Sequence, residues 1–478
     1  MPLSRRQFLE DSMLAAAAAA TAAVVSKPAF AAETTPSAGE KLTVAIIGCG
    51  IRGKAHAGAL AAFPDVDIAY VCDPDSRRTA ELSKQIVAAG RPAPKQVPDL
   101  RTINDDKSVD AVFICTCNHW HALAAIWAMQ AGKHAYVEKP VSHNIHEGRV
   151  MVEVARQTGR ICQTGTQNRS RGDMAEAVEY MRQGKLGQVT LARSIVYGRR
   201  GAIGPLGKYD VPAEVDYNLW CGPSPLAPLT RPKLQYDWHW VWNTGNGELG
   251  NNNVHSIDLC RWGLGITGLG KSMMSYGGRL GYSDAGQTPN SQVCIFDFGD
   301  KTLVTETRGL KTNPFDPALK DGTIFVGTEG YIASNAHFDR DGKLIRTFTG
   351  KGVNHFRNFL DCVKSGKRED LKAEILEGHQ STALCHGGNI SYQLGQSASP
   401  AEIRAALAKL KVHDDVMDTL DRTLGYLNDN QVDLGKTPLI LGAHLQIDGE
   451  REAFAGNAQA NQMLTREYRK PFEVPDRV

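Results

Sequence analysis

From Lys41 to about Thr166 the chain alternates short apolar runs with segments of helical period. Leu42–Ile47, Asp67–Val71, Ala111–Ile114, Ala135–Val137 and Ile161–Gln163 are rich in apolar residues with little alternation, the pattern of strands buried on both faces of a parallel sheet. Between them, Lys54–Ala62, Ser76–Ala89, Leu123–Gln130 and Ile145–Gln157 read as helices. Strands and helices alternating in this way predict βαβ units and a doubly wound sheet. After Thr166 the texture changes. A helix at Asp173–Gln183 ends at Gly184, and strand-like runs follow at Val189–Val196, Gln292–Phe298, Leu303–Arg308 and Thr323–Val326. Turn signals at Gly299-Asp300 and Gly327-Thr328-Glu329-Gly330 make this second sheet mostly antiparallel. Helices at Val353–Lys364 and Ala373–Tyr392 come next, then Pro400–Lys411, a weaker helix at Val416–Leu427 and a polar tail.

The N-terminus reads as an address rather than a fold. Arg5-Arg6 precedes an alanine-rich run from Met13 to Val25, and Ala29-Phe30-Ala31 offers a small-residue cleavage site. That order is a signal peptide of the twin-arginine kind, although Glu10 stands where such signals often carry lysine. The apolar run is short for a bilayer span, so the expectation is export to the periplasm without stable membrane insertion after cleavage. The chain then divides into a signal peptide (1–32), a linker (33–40), a nucleotide-binding α/β domain (41–166), a substrate-side α+β domain with an open sheet (167–398), and helices with a tail (399–478).

Bulk properties narrow the partners. At 478 residues the chain needs more than one core, and a formal charge of +2 with no basic stripe argues against nucleic acid. A small molecule is the expected partner. The ten cysteines lack disulfide-framework spacing; Cys49, Cys72, Cys115, Cys117 and Cys162 fall in or beside buried strands and read as small hydrophobes.

The chemistry begins at Gly48-Cys49-Gly50-Ile51-Arg52-Gly53, between the first apolar strand and a helix. The first glycine suits the tight turn, the second the approach of a pyrophosphate, the third close packing of helix on strand. Asp73 ends the second strand about twenty residues on, where an acid grips ribose hydroxyls. These parts in this order predict a Rossmann domain. A carboxylate at Asp73 would repel a 2′-phosphate, so NAD is favoured over NADP, with Arg77 and Arg78 read as solvated helix residues. Thr116, Asn118 and His121 lie past the Ala111–Ile114 strand, on the edge where ligands bind in such sheets. His119 and His121 have no acidic partner nearby in sequence, so capping and cofactor contact are preferred to a metal site. Glu138-Lys139-Pro140 follows the next strand; its lysine suits a substrate hydroxyl, although the tripeptide also suits a surface turn.

Taken together, the glycine loop, Asp73, Asn118 with His121, and Glu138-Lys139-Pro140 resemble the Gfo/Idh/MocA family, over Leu42 to roughly Leu394. The resemblance implies hydride exchange between a nicotinamide and a sugar or cyclitol carbon, Lys139 in the catalytic set, and a homo-oligomer (dimer or tetramer) paired through the second sheet. It also implies an aspartate four residues before a histidine on a helix. His255 fits that histidine, but the aspartate position holds Asn251. His255 is then the expected acid/base, with Asp258 one turn later to orient it. Trp238, Trp240 and Trp242 alternate, and on a strand they would share one face; that stripe suits a sugar's C–H face and equally suits core packing. Arg169 is placed to reach substrate from the domain boundary, and His379 with His386 share a helix face that could floor the site. The expected mechanism has Lys139 and His255 flank the substrate. The alternatives are redox-neutral lyase or glycosidase chemistry through transient oxidation of a ring hydroxyl, and a non-catalytic sugar-binding protein.

Overall fold

The computed structural model describes residues 41–315, 319 and 321–476; the expected signal peptide and linker lie outside them. No helix among the described residues is long and apolar enough to cross a membrane.

The N-terminal domain is built on an open parallel sheet. Its strands are β1 (Leu42–Ile47), β2 (Val66–Cys72), β3 (Lys95–Val97), β4 (Ala111–Ile114), β5 (His134–Val137) and β6 (Cys162–Thr164), in the order β3-β2-β1-β4-β5-β6. The crossover helices are α1 (Ile51–Ala61), α2 (Ser76–Ala88), α3 (Asn118–Gln130) and α4 (Ile145–Thr158). The strand order reverses between β1 and β4, and ligands bind beyond the carboxyl ends of the strands at such a point. Local chemistry sets the helix ends. Asp75 and Asn144 cap α2 and α4 by accepting from Arg77 and Glu147 backbone N–H groups, and α4 stops at left-handed Gly159.

The second sheet is built mostly from antiparallel pairs. After α5 (Gly172–Arg182) come β7 (Val189–Val196), α6 (Val254–Leu264), β8 (Ser272–Gly278), β9 (Ser291–Asp297), β10 (Thr302–Arg308) and β11 (Gly322–Gly327). Three short strands extend it past β11, and α7 (His355–Ser365) and α8 (Ile375–Gln393) follow. Only the β7–β10 pair is parallel, with Leu303 opposite Ala192. Alternate residues face two different cores. Ala192, Met273, Phe296 and Leu303 pack with α6 and α8, whereas Leu191, Met274, Ile295 and Val304 pack with Ile403, Leu420 and Leu427 from the two helices at Pro400–Leu407 and Val416–Asp429. Residues beyond 398 are therefore integral rather than appended: Leu439–Leu441 and Leu445–Asp448 add strands to this sheet, and Phe472 and Val474 join the core of the first half. Both faces of this sheet thus pack against helices of the same chain.

Between β7 and α6 lies a long connection, residues 197–248, with little regular structure. Connections of this length in compact domains are generally functional. Here it folds back over the first sheet. Ser76 donates its N–H to the Glu214 carbonyl, Asp216 donates to that of Pro74, and Trp120 Nε1 donates to the Leu219 carbonyl at 3.0 Å.

Candidate active site

A cleft of about 250 Å³ runs along the carboxyl edge of the first sheet, beneath the 197–248 connection. Its lower wall begins at the glycine turn. Gly48 has φ +92°, and a Cβ there would lie 2.5 Å from the Cys115 backbone; a Cβ on Gly53 would lie 2.0 Å from the Gly48 carbonyl. The turn is thus pressed between β4 and α1 with no room for a side chain. Gly50 caps α1 without a side-chain hydrogen bond, and no acid occupies the first helical turn, which leaves free N–H donors and the positive end of the helix dipole for an anion. Asp73 is buried. Its Oδ2 accepts from Cys49 N–H at 2.8 Å and its Oδ1 from Asp75 N–H at 2.9 Å, and burial raises its pKa. These features suit the pyrophosphate and ribose of a dinucleotide.

Arg77 turns away to pair with Asp75 at 2.9 Å. Arg78 instead reaches into the cleft, its Nη1 only 2.7 Å from where a Gly50 Cβ would stand, so it is not the solvated helix residue that the sequence suggested. Further along, Thr116, Asn118 and His121 line the cleft. His121 faces the Pro140 and Thr116 carbonyls with its two ring nitrogens, and His119 faces those of Thr244 and Trp220. Neither imidazole keeps a ring nitrogen for a metal, and no metal-holding cluster of three or more such groups occurs among the described residues.

Glu138 gathers Arg52, His56 and Gln167 on its Oε1, while its buried Oε2 has no partner. Burial opposes its ionisation, but His56, Arg52 and Lys139 outweigh burial and hold the carboxyl well below its ordinary range. Lys139 then crosses to the upper wall, where Nζ donates to the Asn251 backbone carbonyl at 2.5 Å. Burial lowers its pKa, and Glu138 and Glu248 resist that shift.

The upper wall is made of side chains. Tyr236 sits at φ +70°, and Asp237–Trp240 form a 3₁₀ turn that brings Trp238 and His239 into the cleft, stacked at 3.5 Å between centroids. Near α6 the helix opens into a π turn, Leu249–Asn253, which carries Asn251. Glu248 fixes that turn: Arg200 donates to it at 3.0 and 3.1 Å, and Asn252 donates its amide N–H as well. Arg200 in turn donates to the Tyr236 hydroxyl at 3.2 Å. Glu248, paired with Arg200, is the carboxylate of this wall beside Asn251.

Residues 42–166 match the family described as GFO_IDH_MocA, an oxidoreductase family with an NAD-binding Rossmann fold. Over these residues the first sheet and its helices are similar to that family's NAD-binding domain. The levoglucosan dehydrogenase of Pseudarthrobacter phenanthrenivorans is 28% identical over 229 residues, 47% of this chain and 52% of that protein. A glycosyl hydrolase family 109 protein of Shewanella pealeana is 29% identical over 204 residues, 40% of this chain and 45% of that protein. The chain thus spans about half the length of the curated relatives it matches. Among solved structures, the WlbA dehydrogenase of Bordetella pertussis with NADH and UDP-GlcNAcA shares the fold at TM-score 0.55 and 18% identity, over 73% of this chain and 95% of that one. A levoglucosan dehydrogenase with NADH and levoglucosan does so at TM-score 0.55 and 20% identity, over 73% and 96%.

Several expected site residues fall outside the cleft. Asp258 is fully buried, accepting from Arg169 Nε at 2.7 Å and Ser381 Oγ at 2.7 Å, so it does not orient His255. Arg169 is consumed by Asp258 and Glu377, away from the cleft. His255 is outside the cleft lining; burial drives its pKa down to about 3 with Lys139 adding to the fall, and its Nδ1 is sealed without a partner. Trp240 is buried under Arg200 and Trp242 lines a separate pocket, because a turn of about three residues does not align alternate positions. His379 pairs with Glu452 at 2.8 Å and His386 meets Ser142 at 3.3 Å, so neither floors the cleft. Sequence reasoning missed Glu248, Arg200, Tyr236 and His239. The one available signal was the long aperiodic stretch that contains them.

Proposed function

We propose that the chain is an NAD-dependent oxidoreductase that dehydrogenates a hydroxyl-bearing carbon of a sugar, sugar derivative or cyclitol, or reduces the corresponding ketone. The observation that carries this reading is Lys139, whose ammonium stands in the same cleft as the glycine turn and bridges to the opposite wall. Bound NAD supplies a two-electron acceptor for the hydrogen on the substrate carbon. The chain's own residues do the rest. Gly48, Gly50, Ile51, Arg52 and Gly53 form the turn and helix start that would hold the pyrophosphate, and Asp73 would hold the ribose. Thr116, Asn118 and His121 would meet the nicotinamide end, and Glu138 holds Arg52 beside Lys139. The Lys139 ammonium polarises a substrate hydroxyl in surroundings where burial already disfavours its charge, which eases proton exchange. Trp238 offers a ring for the substrate's C–H face. The levoglucosan dehydrogenase relative supports a sugar substrate.

Its test is a screen of purified protein with NAD against levoglucosan, D-glucose and myo-inositol, reading the absorbance of reduced nicotinamide. Turnover that disappears in Lys139→Met while NAD still binds supports the reading; equal turnover in both removes Lys139 from it.

A second reading, redox-neutral glycoside cleavage through transient oxidation, is favoured by the family 109 relatives and by Asn251 in place of an acid. Release of nitrophenol from p-nitrophenyl glycosides without accumulation of reduced nicotinamide selects it. The Arg5-Arg6 signal supports export of the folded protein by the twin-arginine route to the periplasm, which cell fractionation checks.

A further inference from the structure

We propose, on the reading of this cleft as an NAD site, that Arg469 is a positioning residue of that site. It fastens the 197–248 connection over the bound dinucleotide, so that the C-terminal segment 464–474 is a latch on cofactor exchange. Three observations lead there.

The first is what the connection covers. Its Leu219 and Trp220 line the same cleft as Asp73, Asn118 and Lys139. Trp120 Nε1 donates to the Leu219 carbonyl at 3.0 Å, and His119 Nε2 lies 3.0 Å from that of Trp220. Gly222, at φ +48°, is pressed so closely on Trp120 that a Cβ would stand 2.2 Å from the indole. A dinucleotide seated along the sheet edge lies under this stretch and leaves when it lifts.

The second is what grips the stretch. Arg469 Nη2 donates to the Asn218 carbonyl at 2.7 Å, Nη1 to the Asn218 side-chain oxygen at 2.5 Å, and Nε to the Gly222 carbonyl at 3.1 Å. Arg466, on the same segment, donates to the Asn243 carbonyl at 3.1 and 3.2 Å. Two guanidiniums thus clasp one irregular connection at two points, each with a planar fork of donors that a lysine lacks.

The third is anchorage, since a clasp restrains only if its own base is fixed. The Leu464 carbonyl accepts from His146 N–H at 2.9 Å, and the Tyr468 hydroxyl donates to Glu147 at 3.2 Å. Phe472 is buried, edge-on to Trp120 at 5.5 Å between centroids. The segment is therefore tied to α4 before Arg469 and to α3 after it.

An irregular connection opens at low free energy, and the opening of such a cover commonly sets the rate of ligand exchange. Hydrogen bonds from a charged donor raise the cost of opening. Arg469 therefore slows NAD release without touching the reacting atoms.

The test loads the full-length protein with NADH, adds excess NAD, and follows the loss of bound-NADH fluorescence. Arg469→Ala should release NADH about tenfold faster or more. Asn218→Ala, at an exposed position, should shift the rate the same way by less, and Arg469→Lys should fall between Arg469→Ala and wild type. In limited tryptic digestion of Arg469→Ala, cleavage at Lys208 and Lys233 should speed up before any cut in 41–166, a local loosening that general destabilisation would not give. Release at the wild-type rate from Arg469→Ala overturns the latch, and so does equally fast cutting of the connection and of 41–166. Failure of wild type itself to bind NADH overturns the reading of the cleft as an NAD site, and the latch with it.

Discussion

The lower wall of the cleft is backbone held by backbone. Gly48 and Gly53 sit where neighbouring main chain leaves no space for a Cβ, and the Asp73 carboxylate ties the turn by accepting from the Cys49 N–H. The upper wall is side chains hung from a connection of some fifty residues, 197–248, and it keeps its shape through Arg200, Glu248 and the stacked ring pair at Trp238 and His239. A wall of the first kind is set by its backbone and suits the pyrophosphate of a dinucleotide. A wall of the second kind can be re-cut by single substitutions, which is where substrate choice belongs.

The sharpest way to break this contrast is Gly53→Ala. A methyl 2.0 Å from the Gly48 carbonyl has to move the turn, at a cost of about 1–3 kcal/mol, so NAD affinity should fall by about 10- to 100-fold and all turnover with it. Calorimetric titration with NAD reads this directly; unchanged affinity would mean the turn is not the dinucleotide seat. Glu248→Gln should act on the other wall only. It removes the charge opposite Arg200 in a buried pair, so thermal stability drops and KM rises by about tenfold while NAD affinity holds. A matching loss of NAD affinity would erase the distinction between the walls. Trp238→Ala should cost less, about 0.5–1.5 kcal/mol in kcat/KM for a sugar and nothing for NAD.

Acid should weaken both walls together. His119, His239 and His255 are each lowered to about 3 by burial, against an ordinary value of 6.5. Below 6.5 the unfolded chain takes up protons that the native state refuses, so stability falls as pH drops from about 6.5 toward 3 and is flat above that window. Melting temperatures across this range check it; a Tm that rises on acidification contradicts the buried, neutral rings.

The two walls also differed in how far the amino-acid sequence revealed them. β1, the glycine turn, α1 and Asp73 are contiguous or nearly so, and local rules dictate each one. β7 and β9 to β11 were visible for the same reason. β8 was missed because Ser272–Gly278 is buried along its whole length and carries two glycines, leaving neither alternation nor an apolar run. The upper wall depends on contacts that no local pattern encodes. Arg200 and Glu248 are 48 residues apart, and the strand expected from alternating tryptophans is a 3₁₀ turn with a different period. The helix expected to carry Asn251 and His255 on one face opens into a π turn, which separates them: Asn251 lines the cleft and His255 does not. Asp258 looked like a helper one turn from His255, but tertiary structure commits it to Arg169.

The central claim is that one cleft both seats NAD and, through Lys139, drives the removal of hydrogen from a polyhydroxylated substrate. The direct measurement is a single-turnover experiment on NAD-loaded wild type and Lys139→Met with levoglucosan, recording bound nucleotide and reduced nicotinamide in the same sample. Equal nucleotide in both, with reduced nicotinamide formed about 100-fold or more slowly in the variant, is the predicted result. Equal rates in the two proteins would contradict it.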